Sequence, residues 1–270
     1  MISSSIPDWE LRQRLSCLEG CEALREDVPP GTVDRLFAAL GSEAPHLGEE
    51  IGAATLARWI VIQHALPADQ MRRLHARARG PSGARHRIGE SGTTSVFRRS
   101  FSILLLAFIH AADNATKFLT NDGWEGSLDT LVSYGQQEQN VRARVAGLGW
   151  AHSVAHASDL ADELAQSPRC GRASAAKILS AVGDLVARSR EPFRGEGEEE
   201  DRVASALASL IRRGLIEVHA LKGLTGRASI SPEDALRINW KNIVRALYFR
   251  LDDGDEKERA SVLQAERTVA

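Results

Sequence analysis

Aromatic residues are scarce in this chain. They make up 5% of its 270 positions, with two tyrosines. A core must therefore come mainly from Leu, Ala, Val and Ile, and because Ala and Leu are strong helix formers and β-branched runs are few, that diet favours helices. We find no convincing strand or hairpin signal. Cysteine is also sparse, with three in all. Cys17 and Cys21 lie four apart, a spacing of neither zinc knuckles nor disulfide frameworks, and the three read as reduced thiols of a cytoplasmic protein. No apolar run reaches the roughly 18 residues of a membrane span; the best, Ile103 to Ile109, is far shorter. The segment Met1-Ile2-Ser3-Ser4-Ser5 lacks the basic and apolar blocks of a secretion signal, so no membrane contact is expected. The net charge of −2 argues against a dedicated nucleic-acid binder. Glycine-rich phosphate signatures and a nucleophile elbow are absent.

What is present is a succession of amphipathic helical patterns. Asp8 to Leu18 carries Trp9, Leu11, Leu15 and Leu18 at helical spacing. Thr32 can cap a short helix through Leu40. Thr55 to Ala65 is apolar almost all round and reads as central. Asp69 to Ala78 follows Pro67, and a loop runs from Gly80 to about Gly92. Ser95 opens a long apolar helix ending near Asn114. Thr120 or Asn121 can cap the next, which carries Leu128, Leu131 and Tyr134. Gly147 and Gly149 punctuate the chain before Trp150. Helices are then expected to end at Ser167-Pro168, to run from Ala173 to Arg188, and to run from Val203 to Arg213, where Gly214 stops the last. Glu196 to Asp201 reads as an exposed acidic loop or helix start. Ser231-Pro232-Glu233-Asp234 is a strong helix start, with Ser as cap, Pro at the first position and acids in the first turn. Residues 252–270 are highly charged and read as a tail that frays. Helix pairs of about 40 residues with short links predict an all-α fold. The expected form is a HEAT-like α-solenoid of antiparallel helix pairs over residues 1–251, with a compact bundle as the alternative.

The stretch Gly149 to Leu164 looks most like a site. On a helix His152, His156, Asp159 and Glu163 share one face, and Trp150, Val154, Ala157, Ala161 and Leu164 the other. The polar stripe reads either as a solvated face or as the lining of a groove. In the second case His152, His156 and Asp159 can hold a divalent metal, or Asp159 can orient His156 for proton transfer. Ser153 stands where a zincin needs glutamate, so a metalloprotease is not indicated.

Residues 72–99 hold eight arginines (72, 73, 77, 79, 85, 87, 98 and 99) against Glu90. They read as a solvated loop balanced by the acids near Glu199, or as a patch for phosphate or nucleic acid. His110 and Asp113 can either close their helix end or complete the histidine site. Trp124 and Trp240 read as core anchors.

Four blocks resemble a bacterial family known as domain of unknown function 2785. Gly149 to Leu164 is similar to its GWAHxxAHxxDLxxxL hallmark. Arg87-Ile88-Gly89-Glu90 with Ser95 to Ser102 resembles its IGE…SVFxRSFS block, and Asp113-Asn114 with Phe118-Leu119 its DN…FL block. Asn242 to Leu251 resembles its NFLRALYFRL helix. In the approach to the hallmark Glu138 and Arg142 fit the family's ExDxRGYV pattern. Asn140 stands where Asp is usual and Ala143 where Gly is usual, which would remove any activity that needs that aspartate. The resemblance implies an all-helical, HEAT-like architecture and no established activity.

Two functions follow as expectations. One is a cytoplasmic scaffold holding a protein, peptide or small ligand, with Trp150, Asp159, Asp113 and Arg142 in the contact. The other is an enzyme, metal-dependent or not, that uses His152, His156 and Asp159, with Glu138 or Asp113 as a further ligand or base. Nucleic-acid binding through Arg72 to Arg99 is the third reading.

Overall fold

A computed structural model describes residues 28, 31–44, 46–193, 195, 198–221, 235–251 and 256–269. The expectations for Asp8 to Leu18, for Cys17 and Cys21 and for the Ser231–Asp234 cap lie outside the described residues. The fold is mainly helical. Helix α1 spans Thr32–Ala39. An irregular α2 is π-wound over His46–Ala53, α-helical over Ala54–Ala57 and π-wound again over Arg58–Ile62. Helices α3 (Ala68–Arg79), α4 (Ser95–Thr116) and α5 (Asn121–Gln137) follow. After a two-stranded hairpin come α6 (Ser153–Gln166), α7 (Arg172–Arg188) and α8 (Glu199–Arg212). A 3₁₀ turn at Val218–Leu221 precedes α9 (Ala235–Arg250) and α10 (Glu256–Val269).

Sequence accounts for most of these boundaries. Thr120 caps α5 by accepting a 3.1 Å hydrogen bond from the Gly123 amide. Gly214, at φ +63°, follows α8 where only a left-handed residue can turn the chain. Thr32 is the first residue of α1 rather than its cap, which is Gly31 at φ +78°.

The helices lie in two rows. In one, α4 packs on α6, α6 on α8 and α8 on α9. In the other, α5 packs on α7 and, more lightly, on α3. The core between them is one connected cluster that includes Leu36, Leu106, Leu160, Leu185, Leu210 and Leu247. Helix α4 is long and apolar enough to cross a membrane by length and composition, unlike the short run expected, yet most of it is buried inside the molecule. The charged C-terminal end carries a helix among its described residues. Its helix α10 packs on α9, buries Val262 and lays Arg259 over the Tyr248 ring, 4.5 Å from the centroid.

The hairpin corrects the absence of strands. Strands β1 (Arg144–Val145) and β2 (Gly149–Trp150) pair antiparallel, with Arg144 opposite Trp150 and Val145 opposite Gly149. Gly147 at φ +76° and Gly149 at φ +93° turn the chain. The amides of Ala151 and His152 then both donate to the Ala143 carbonyl, at 2.7 and 3.0 Å. Trp150 is therefore extended and does not belong to α6. His152 is the left-handed cap residue, φ +49°, from which α6 begins.

Candidate functional site

Helix α6 has no solvated histidine face. It is flanked by α4 and α8, with α5 and α7 behind, so positions on almost every side are buried. Ala155, Ala157, Ala161 and Ala165 keep it thin enough for this, and Ser158 turns its hydroxyl back to the Val154 carbonyl at 2.8 Å. His156, expected on a polar stripe, is buried against Phe101, ring centroids 4.9 Å apart.

The rings of Trp150, His152 and His156 come together because the hairpin folds back on the start of α6. Trp150 and His152 stack face to face, 5.0 Å apart and 4° from parallel. His152 and His156 centroids are 5.3 Å apart at 55°. Glu199, the first residue of α8, places Oε1 3.3 Å from His152 Nδ1. His156 hydrogen-bonds the Ser100 backbone, while its Nδ1 is buried with no partner among the described residues. Burial, and then the neighbouring His152, hold the His156 pKa well below the usual imidazole range, so the ring is neutral. A neutral ring that donates through one nitrogen offers the lone pair of the other.

Asp159 does not join them. Both its oxygens accept from Arg202 Nη1 at 2.9 Å, and Arg202 Nη2 also reaches Glu198 at 2.9 Å. Burial outweighs Arg202 and leaves the Asp159 pKa raised. Farther along α6, Asp162 accepts from Ser209 at 2.5 Å and Glu163 from Asn114 at 3.0 Å. The expected metal set His152, His156 and Asp159 is thus not assembled. Among the described residues no group of three His, Cys, Asp or Glu side chains is placed to hold a metal.

Asp113 and Glu138 each make buried contacts that tie elements together. Asp113 closes the end of α4, accepting from the Leu119 amide at 2.7 Å and from Arg169 at 2.6 Å. Its neighbour His110 faces His75, not the histidines of α6. Glu138 is fully buried and grips Arg99 through both oxygens. Arg99 also donates to the carbonyls of His86 and Arg87, both at 3.1 Å, and so ties the loop before α4 to the end of α5. From this knot a polar chain runs outward. The Asn140 amide donates to Glu138 at 2.8 Å, and Arg142 Nε donates to Asn140 Oδ1 at 2.8 Å.

That chain ends at a cleft of about 410 Å³ between the hairpin and the link from α7 to α8. Trp150, Arg142, Arg144, Arg190, Phe193 and Glu199 are among the residues that line it. Arg144 lies over Trp150, 5.6 Å from the ring centroid. Of the expected ligand contacts, Trp150 and Arg142 line the cleft, and Asp113 and Asp159 do not.

Of the two readings of the acidic run, an exposed loop or a helix start, Glu199 follows the second: it is buried in the first turn of α8, where acids offset the helix dipole. That first-turn pattern was the signal available. Nothing local could pair Glu199 with a histidine 47 positions earlier. The arginines of residues 72–99 are not balanced by these acids either. Arg73 meets Asp69, Arg77 meets Asp34 and Arg87 meets Glu90, while Arg72 and Arg98 hold backbone carbonyls.

The family described as "Protein of unknown function (DUF2785)" matches residues 85–249. The chain belongs to the DUF2785 family. No curated protein and no solved structure matches it. The matched region of this DUF2785 chain contains the Arg99–Glu138 knot, the hairpin, α6 and Glu199, and therefore the whole of the cleft. Cys170, also within the match, is a free buried thiol whose pKa burial raises.

Proposed function

We propose that this DUF2785 chain is a HEAT-like helical-repeat binding protein, and that a small molecule or short peptide is held in the cleft beside Trp150. The two rows of helices, in which α4 packs on α6, α6 on α8 and α5 on α7, support the repeat reading. The observation that carries the binding reading is the state of Trp150. Its ring stacks on the His152 ring and carries the Arg144 guanidinium over it, at the wall of a cleft of ligand size. A tryptophan in a surface hairpin would ordinarily be turned inward to the core; here it is half-buried and braced in place.

A fragment screen read by the indole N–H signals tests this. The Trp150 signal, assigned with Trp150→Phe, is expected to move saturably with the fragments that bind. Fragments that bind elsewhere and leave that signal still would overturn the proposal.

A second reading, acid–base catalysis, is favoured by the contact between Glu199 and His152. A carboxylate at Nδ1 fixes the imidazole so that Nε2 can take a proton. The free lone pair of His156 lies in the same ring cluster. For a ligand that turns over, Glu199→Gln and His152→Gln are expected to lower kcat while leaving affinity little changed. Equal loss of both would mark these residues as binding groups.

A further inference from the structure

We infer that the ligand of the Trp150 cleft is an oxyanion on an apolar body, a carboxylate or a phosphate ester; this rests on the cleft being the binding site. Four guanidinium groups line the cleft, those of Arg142, Arg144, Arg188 and Arg190, against two carboxylates, Glu191 and Glu199. Glu199 is turned to His152. Arg188 is committed to the end of α5, where it holds the carbonyls of Gly135 and Gln136. Among the described residues the other three arginines form no ion pair. Arg142 meets only the neutral amide of Asn140 through Nε, and its Nη2 is buried without an acceptor. Arg144 rests on Trp150, and neither it nor Arg190 forms an ion pair among the described residues.

Like charges gathered at one wall without facing carboxylates are unfavourable, and an anion arriving beside the exposed Arg144 and Arg190 relieves them. The guanidinium fork also matches two oxygens of a carboxylate or phosphate. Apart from Gln139 and Ser189 the rest of the lining is apolar, including Val141, Trp150, Pro192 and Phe193, so a bare inorganic ion would leave much of the cleft unused. The charge and the apolar wall together define the ligand class.

Titration calorimetry with benzoate, phenyl phosphate, benzamide and inorganic phosphate at constant ionic strength tests the inference. Benzoate or phenyl phosphate is expected to bind at least about tenfold more tightly than benzamide, the order of one charge-assisted hydrogen bond. Whichever of the two binds better identifies the anion, and inorganic phosphate is expected to bind more weakly than either. Arg142→Gln and Arg144→Gln should each shrink the advantage over benzamide. Arg144 is exposed on the hairpin, so its variant carries the test if the Arg142 variant does not fold.

Benzamide binding as tightly as benzoate, with Trp150→Ala weakening both, would overturn the anion and leave the cleft as the binding site. Inorganic phosphate matching phenyl phosphate would overturn the apolar body. No binding of any probe would overturn the inference, and the Trp150 fragment screen would then decide separately whether the cleft binds at all.

Discussion

Burying an imidazole without a partner fixes its charge. Both ring nitrogens of His110 are buried and, among the described residues, without a partner, and its ring stands 5.7 Å from that of His75, whose Nε2 meets Ser127 Oγ at 2.7 Å. Burial drives both pKa values down to about 3, helped for His75 by His110 and for His110 by Arg169. The folded protein thus keeps both rings neutral, while the unfolded chain protonates them below about 6.5. Stability is unaffected by this pair above that pH and falls as pH drops from about 6.5 towards 3. Each ring contributes at most about 1.4 kcal/mol per pH unit. Urea unfolding at pH 7.5 and pH 5 should show the loss, and His110→Leu should flatten it; an unchanged slope would refute the assignment. Glu163 works in the opposite sense. Burial raises its pKa to about 7, so its share of stability declines as pH climbs from about 4.5 through 7. At Glu138 the expected effect is on folding. Glu138→Ala leaves the Arg99 guanidinium buried and uncompensated, and should cost about 3–5 kcal/mol in urea unfolding. A catalytic Glu138 would instead lose turnover with stability intact.

Helices α5 and α7 meet so closely that one of them has no room for a side chain. A Cβ on Gly135 would fall 2.7 Å from the Ala181 carbonyl oxygen and 2.8 Å from its Cα. Gly135→Ala gains up to about 1 kcal/mol of helix propensity, but forcing the helices apart costs about 1–3 kcal/mol. A net loss in melting temperature is the expected outcome, and a gain would show that the crossing is loose. Caps made the helix ends legible in sequence, as Thr120, Ser167 and Gly214 demonstrate. The hairpin was not legible, because two-residue strands have no periodicity, and Gly147 and Gly149 read only as breaks. The burial of the histidine face was not legible for a different reason. Hydrophobic periodicity scores Ser153, His156 and Ser158 as polar, yet a helix enclosed on most sides buries such residues through neighbours that pattern cannot supply. In α2 the difference runs the other way. The apolar stretch from Thr55 to Ala65 reads as central, yet Ile62 is 74% exposed.

At the scale of the molecule, the stacked rows pose a question of cooperativity. In a long helical array each unit is stabilised mainly by its neighbours, and distant units can unfold separately. Here the stack is short and the core unbroken. Leu106 in α4, Leu160 in α6 and Leu210 in α8 are all completely buried in one cluster, and α6 contacts four other helices. Removing apolar volume at one end should therefore weaken the whole. Leu106→Ala and Leu210→Ala are each expected to cost about 2–5 kcal/mol and to lower the melting temperature of a single transition. Calorimetry checks this directly. The calorimetric and van't Hoff enthalpies should agree in the wild type and in both variants. A second transition in Leu210→Ala, with the first unmoved, would mean that α8 and α9 form a separable unit. The consequence would reach the cleft, because Glu199 and Phe193 lie on that side and Trp150 and Arg142 on the other. A single transition means that the two walls are held by the same core, so ligand binding should raise the melting temperature of the entire molecule.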